Sequence, residues 1–269
     1  MSDNHDDPIW QSIRKEATKD AEGEPLLASF LHVTILNHTS LENALSFHLA
    51  NKLTSPTLQA ISLMEHLSQA YDNDADIRRA IRNDISAVVD RDPACNEYSV
   101  PLLYFKGFHA LQSYRAANWF WKQGRTSLAL AMQSRISEVF AVDIHPAARI
   151  GSGILIDHAT GIVIGETAVV EDDVSFLHEV TLGGTGKDRG DRHPKVGKGV
   201  LIGAGVKILG NVRIGEGAKI GAGSVVLQPV PPHSTAVGVP ARVVGRPTTE
   251  EPAKDMDHRL GSSELNYEI

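Results

Sequence analysis

The feature that most constrains this chain is a period of six. Val196, Ile202, Ile208, Ile214, Ile220 and Val226 recur every sixth residue. Upstream, Ile144, Ile150, Ile156 and Ile162 keep that spacing, and Ile164, Val170, Phe176 and Leu182 resume it after a shift of two residues. Small residues follow the aliphatic one repeatedly, as in IGSG, IGAG and IGEG. An α-helix cannot align such a series, because six steps of about 100° reach about 240°. A flat strand would not tolerate so much glycine. A parallel β-helix satisfies both: each hexapeptide is one short strand and a turn, and three make a coil. The aliphatic residue then points inward and stacks on its counterpart about 4.8 Å away in the next coil.

The period divides the chain. Of 23 glycines, 19 lie between Ile144 and Arg246. That stretch carries 11 Lys+Arg against 9 Asp+Glu, whereas the remainder carries 15 against 24. We read residues 1–141 as a helical domain, 142–246 as the β-helix and 247–269 as a polar, flexible tail. Between Leu182 and Val196 the repeat is broken by GGTGKDRGDRHPK, too rich in turn formers and charges for a coil. Residues 183–195 are therefore read as a loop thrown outward, and loops on rigid scaffolds often carry function.

The first half has helical grammar. Pro25 sits where a first-turn proline is tolerated. Thr39 and Glu42 have capping-box spacing, opening a helix to about Leu53. Ser55-Pro56 starts another, with Leu58, Ile61, Met64 and Leu67 as its stripe. A further helix spans roughly 74–90. Tyr104, Phe108, Leu111, Tyr114 and Trp121 form a stripe ended by Gly124, and a last helix runs to about Phe140. Five or six packed helices are expected, their stripes serving as core.

Several function classes are disfavoured. A net charge of -7 is wrong for a nucleic-acid binder. The single cysteine, Cys95, excludes an intramolecular disulfide and suits a reducing cytoplasm. No apolar run approaches a membrane span, and the acidic start MSDNHDDPIW is unlike a signal peptide. No CxxC or HExxH spacing points to a metal, and GGTG lacks the context of a phosphate loop. A cytoplasmic protein bound neither to nucleic acid nor to membrane is expected.

VDIHPAARIG, IDHATGIVIGET, VTLGGTGKDRGDRHPK and GVPARVVG, with the helical RDPACNEYSVPLLYFKGFHALQSYR, together resemble the serine acetyltransferases of bacteria and plants. The similarity runs from about residue 8 to 246. It implies an α+β chain, an all-helical domain followed by a left-handed parallel β-helix of hexapeptide repeats. That hand comes from the resemblance, not from the spacing.

The implied reaction moves an acetyl group from acetyl-CoA to the hydroxyl of L-serine, opening cysteine biosynthesis. It needs a base for the hydroxyl proton and stabilisation of a tetrahedral oxyanion. His158, in DHATG, matches the family's catalytic histidine, and Asp143 matches its orienting carboxylate. Asp157 adjoins His158, but strand alternation would turn it to the other face. Asp92 and Asp157 match the positions for the substrate ammonium. Arg192 and His193 resemble the grip on its carboxylate, for which arginine's planar fork is suited. Gly184, Ala204, Lys219 and Ala222 are the expected acetyl-CoA contacts, the Gly184 N–H also serving as a possible oxyanion donor and Lys219 meeting phosphates. His178 is unassigned, and Cys95 has no motif supporting a covalent role.

No cofactor is implied, acetyl-CoA being a co-substrate. The family further implies a homohexamer built as a dimer of trimers, with the CoA groove between chains. Feedback inhibition by L-cysteine and capture of Ile269 by O-acetylserine sulfhydrylase complete the expectations. Rival readings are a β-helix acetyltransferase for another hydroxyl, a metal-dependent β-helix enzyme holding three histidines at a subunit interface, and a non-catalytic module.

Overall fold

A computed structural model describes residues 7–260. Among them, eight α-helices precede residue 142: α1 (Pro8–Gly23), α2 (Pro25–Leu31), α3 (Leu41–Leu53), α4 (Ala60–Asn73), α5 (Ala75–Arg91), α6 (Ser99–Tyr104), α7 (Lys106–Lys122) and α8 (Thr126–Phe140). That exceeds the five or six expected. The excess has local causes. The start of α1 is marked only by Asp7, whose carboxylate accepts from the Trp10 N–H, and by Pro8. A π-helical stretch, His32–Leu36, prolongs α2.

Three boundaries differ from the reading above. Ser40, not Thr39, caps α3, its hydroxyl accepting from the Asn43 N–H at 3.2 Å. Ser55–Leu58 is a closed turn, and α4 begins after it. Its buried face is Leu63, Leu67, Ala70 and Tyr71, while Ile61 is 68% exposed, so a spacing of three tracked the wrong stripe. The 101–121 stripe is broken at Phe105, which leaves Tyr104 exposed and Phe108, Leu111 and Tyr114 in the core.

The second half is a triangular prism of parallel strands. One face is β1 (Val142–Ile144), β4 (Ile162–Ile164), β7 (Thr181–Gly183), β10 (Lys207–Leu209) and β13 (Val225–Val226). The second is β2 (Arg149–Ile150), β5 (Val169–Val170), β8 (Lys195–Val196) and β11 (Arg213–Ile214). The third is β3 (Leu155–Ile156), β6 (Ser175–Phe176), β9 (Leu201–Ile202), β12 (Lys219–Ile220) and β14 (Thr235–Gly238), closed by antiparallel β15 (Ala241–Gly245). The six-residue series are the inward ladders, as in Ile144, Ile164, Leu182, Ile208 and Val226. Ile162 belongs to a second inward position, opposite Val142 and two residues before the ladder residue. Burial of these ladders, nearly all below 7% exposed, is what closes a prism too narrow for any other core.

The coils are not equal. The first ladder advances by 20 residues from Ile144 to Ile164, by 18 to Leu182, by 26 to Ile208 and by 18 to Val226. An unbroken coil of three hexapeptides is 18 long. Two extra residues therefore lie in the turn around DHATG, and eight more in the 183–195 loop.

Of the segment read as a tail, residues 247–260 are described and pack back on the body. A one-turn helix, α9 (Pro252–Asp255), buries Pro252 and Ala253 against α5 and β9. The Ala253 carbonyl accepts from Ser175 Oγ at 2.8 Å. Ile269, the expected partner contact, lies outside the described residues.

Candidate active site

The two extra residues of the first coil build the turn that carries His158. His158 and Ala159 both adopt left-handed backbone, φ +56° and +60°. Two such residues in succession cancel the up-down alternation of a strand. Asp157 is consequently not on the opposite face from His158: its Oδ2 lies 3.8 Å from His158 Nε2. Ala159 is fully buried beneath, and the imidazole is 76% exposed above. The Gly161 N–H donates to the Ala141 carbonyl and the Glu179 N–H to that of Thr160, tying this turn to its neighbours.

The helical domain presses on the same turn. A Cβ on Gly107 would lie 2.0 Å from the Ile156 carbonyl oxygen, so α7 reaches this strand only because residue 107 has none. Lys106 Nζ donates to Thr160 Oγ1 beside it. Sequence reasoning missed both, although KGF at the head of a helix was the available signal. Asp92 caps the C-terminal end of α5, with its Oδ1 accepting from the Ala94 N–H at 2.9 Å. The helix end is fastened by Arg91, which donates to Ser175 Oγ at 3.1 Å and Asp173 Oδ1 at 3.2 Å. Val88 and Cys95 pack with Leu155, bringing the Asp92 turn against β3 just ahead of Asp157. Cys95 is buried, and burial raises its thiol pKa, the opposite of what a nucleophile needs.

Asp143 does not reach the base here. Its Oδ1 accepts from Gln133 Nε2 at 2.6 Å. Among the described residues Asp157 is the one carboxylate within 4.0 Å of a His158 nitrogen.

Below His158, the backbone of one prism edge is stacked coil on coil. The Asp157 N–H donates to the Phe176 carbonyl, Leu177 to Ile202, Gly203 to Ile220 and Gly221 to Ala236. This edge brings His158, His178, Ala204 and Ala222 into one line. The His178 ring stands 6.0 Å from that of His158, and its Nδ1 is buried without a hydrogen-bond partner among the described residues. Lys219 is placed differently from expectation: it is buried, and its Nζ donates to the Arg259 carbonyl at 2.6 Å. The chain after α9 thus covers it. Burial chiefly, and then Lys219, lowers the pKa of His258 in this covering segment.

Arg192, His193 and Gly184 sit on another edge, across the first face of the prism. Arg192 pairs with Glu166 at 2.7 Å, a hydrogen bond that lowers the Glu166 pKa. The His193 ring is buried against Gly165 and Gly184, and burial, then Arg192, lowers its pKa. With Thr167 and residues 186–190, Glu166 and Arg192 line a shallow cavity of 660 Å³. A single chain therefore divides the expected residues: Asp92, Asp157, His158, Ala204 and Ala222 are gathered on one side, Gly184, Arg192 and His193 on another. The Gly184 N–H is not beside His158 of its own chain.

Fold and site together define a hexapeptide-repeat acyltransferase: stacked coils, an exposed histidine in a bulged turn, and a basic loop. Comparison with known proteins narrows the class. The family model described as "Serine acetyltransferase, N-terminal" matches residues 9–113, and "Bacterial transferase hexapeptide (six repeats)" matches 193–228. A serine acetyltransferase of Escherichia coli is 57% identical over 260 residues, 97% of this chain and 95% of the relative. A solved serine acetyltransferase in complex with cysteine superposes with a TM-score of 0.92 at 58% identity, covering 96% of this chain and 99% of its own. One from Brucella abortus in complex with coenzyme A gives 0.89 at 53%, covering 91% and 98%. One from soybean complexed with serine gives 0.86 at 61%, covering 88% and 97%. The chain belongs to the serine acetyltransferase family.

Proposed function

We propose that this chain transfers the acetyl group of acetyl-CoA to the hydroxyl of L-serine, releasing CoA and O-acetyl-L-serine as the entry to cysteine biosynthesis. The observation that carries the reading is His158, exposed on a rigid left-handed turn beside Asp157, in a chain 57% identical to a serine acetyltransferase over 97% of its length. His158 takes the serine hydroxyl proton as the oxygen attacks the thioester carbonyl. The C–S bond of the tetrahedral intermediate then breaks, and the proton passes from His158 to the departing thiolate. No acyl-enzyme is required. Asp157 is within reach of the imidazole as it stands, and Asp143, whose Oδ1 accepts from Gln133, would need its second oxygen brought to the ring. Asp92 and Asp157 suit the substrate ammonium, and Arg192 with His193 its carboxylate. Ala204 and Ala222 border the groove proposed for the pantetheine arm.

The division of the site between two edges supports a shared site. In a trimer packed about the prism axis, the His158 edge of one chain faces the Arg192 edge of its neighbour, which brings the Gly184 N–H to the developing oxyanion. Such trimers paired through the helical domains would make the hexamer. L-cysteine, with the same ammonium and carboxylate, would compete at the serine site, and Ile269 would carry the sulfhydrylase contact. A cytoplasmic location suits the lone buried thiol. Among the described residues no helix is long and apolar enough to cross a membrane.

Thiol release from acetyl-CoA tests the reaction. Serine-dependent release in the parent, absent in folded His158→Ala, is expected; turnover only with another alcohol would overturn the substrate. Mixing His158→Ala chains with Arg192→Ala chains, at a serine concentration too low for either to turn over alone, tests the shared site. Mixed trimers should regain activity, and none would be regained if each chain were complete.

A further inference from the structure

One side chain ties the end of the 183–195 loop to the coil beneath it. Thr167 follows β4 in IVIGET. Its hydroxyl oxygen accepts from the Arg192 N–H at 3.0 Å and the His193 N–H at 3.1 Å, and lies 2.8 Å from His193 Nδ1. A hydroxyl has two lone pairs and one proton. The two backbone donors occupy the lone pairs, so the hydroxyl can offer Nδ1 only its proton, for which the Asp191 carboxylate is a second acceptor. The Thr167 N–H points at the same nitrogen from 3.2 Å. Nδ1 is thus held as an acceptor by two donors, which leaves the proton of the neutral ring on Nε2.

The far side of the ring is equally constrained. A Cβ on Gly165 would lie 2.0 Å from Nε2 and from Cδ2, so the imidazole fills the place of the missing side chain. Among the described residues nothing hydrogen-bonds Nε2. Lys195 closes the arrangement from behind, its Nζ donating to the Thr167 carbonyl at 3.0 Å, the His193 carbonyl at 2.7 Å and Asp191 Oδ1 at 2.5 Å. The charged neighbours of His193 are Arg192, Glu166 and Lys195, with His145 beyond them. Burial and the two cations oppose a positive ring, in keeping with a neutral donor.

We propose that Thr167 is a positioning residue for the amino-acid substrate: it fixes His193 as an Nε2–H donor and sets Arg192 beside it, so that the pair meets the substrate carboxylate in one preformed geometry. This rests on the reading of Arg192 and His193 as the carboxylate grip. A threonine between strand and loop would otherwise be expected only to cap a turn.

The test compares Thr167→Val, Thr167→Ser and Gly165→Ala with the parent, and carries Arg192→Ala as a control on that reading. Thr167→Val keeps the shape and strips the hydroxyl, leaving two backbone N–H groups without their acceptor and Nδ1 with the residue-167 N–H alone. The KM for serine should rise about tenfold or more, while that for acetyl-CoA stays within about twofold. Thr167→Ser should restore serine KM to within about threefold of the parent, since the hydroxyl is what matters. Gly165→Ala should raise serine KM without removing any hydrogen bond. Nitrogen-15 spectra of histidine-labelled parent, with His193 identified by its loss in His193→Gln, should show the Nε2–H tautomer, retained in Thr167→Ser and mixed in Thr167→Val. An Nδ1–H tautomer in the parent overturns the proposal even if the valine variant fails to fold. Parent-like serine KM in Thr167→Val, with Arg192→Ala impaired, overturns it while the carboxylate grip stands. Unchanged serine KM in Arg192→Ala overturns the grip itself, and the proposal with it.

Discussion

Asp84 is where the helical domain is bolted to the first coil, and its removal should be the most damaging single truncation outside the ladders. Its side chain is fully buried. Arg115 of α7 donates to Oδ2 from Nε at 3.0 Å and Nη2 at 2.7 Å, Gln112 Nε2 does so at 2.9 Å, and the Ile154 N–H donates to Oδ1 at 2.9 Å. Arg115 Nη2 continues to the Gly151 carbonyl at 2.7 Å. Asp84→Ala strands a buried guanidinium, one amide and one backbone N–H. Removing one partner of such a pair costs about 3–5 kcal/mol. For a chain of this size each kcal/mol moves Tm by about 2–4 °C, so a fall of about 6–20 °C is expected. The assay is thermal unfolding at fixed protomer concentration, because association would itself shift Tm. Asp84→Leu combined with Arg115→Met should recover part of the loss, since neither charge is then buried, although Ile154 N–H and the Gly151 carbonyl remain unserved. Because α5 ends at Asp92, the single variant should also raise serine KM more than acetyl-CoA KM. A Tm within about 2 °C of the parent would refute the argument, since it would mean that the pair contributes less than the smallest cost assigned to it.

Three further outcomes follow from the same reasoning. His48 and His109 meet edge to face, ring centres 5.1 Å apart, in the helical core, where burial above all, then Lys52 at His48 and His48 at His109, lowers their pKa values to about 4 and about 3. An unfolded histidine binds its proton near pH 6.5, so stability should be intact above that pH and fall by about 1.4 kcal/mol per pH unit for each ring as pH drops toward the folded values. Urea unfolding between pH 7 and 5 measures the slope, which His109→Gln should reduce by one proton; an unchanged slope would exclude the pair as its source. Gly107→Ala should lower stability by about 1–3 kcal/mol and reduce turnover, because its Cβ would lie 2.0 Å from the Ile156 carbonyl oxygen beneath the His158 turn; parent-like kcat would show that α7 does not set that turn. Ser40→Ala should cost about 1 kcal/mol in urea unfolding by removing the cap of α3, and Thr39→Ala should cost less.

The prism was legible because its ladders are a one-dimensional code: each inward residue is fixed by its distance from the last, and tertiary contact repeats local spacing. The helices were legible in kind but not in edge. Leu63 and Leu67 are buried and Ile61 is exposed because α4 meets α3 and α7 across contacts that no local spacing encodes. The site lies where the code fails. Two surplus residues force the left-handed pair at His158 and Ala159, and with it the approach of Asp157 that strand alternation had denied. Eight more make the loop that ends in Arg192 and His193. An interruption of period can be counted in a sequence, so the position of both parts could be read. What they touch could not, since Gln133 on Asp143, Thr167 on His193 and Arg259 on Lys219 are each set by chain folding back from elsewhere. The interruptions also fall on different edges of the prism. A rigid prism cannot bend one edge toward another, so within one chain the His158 turn and the loop that ends in Arg192 and His193 stay apart.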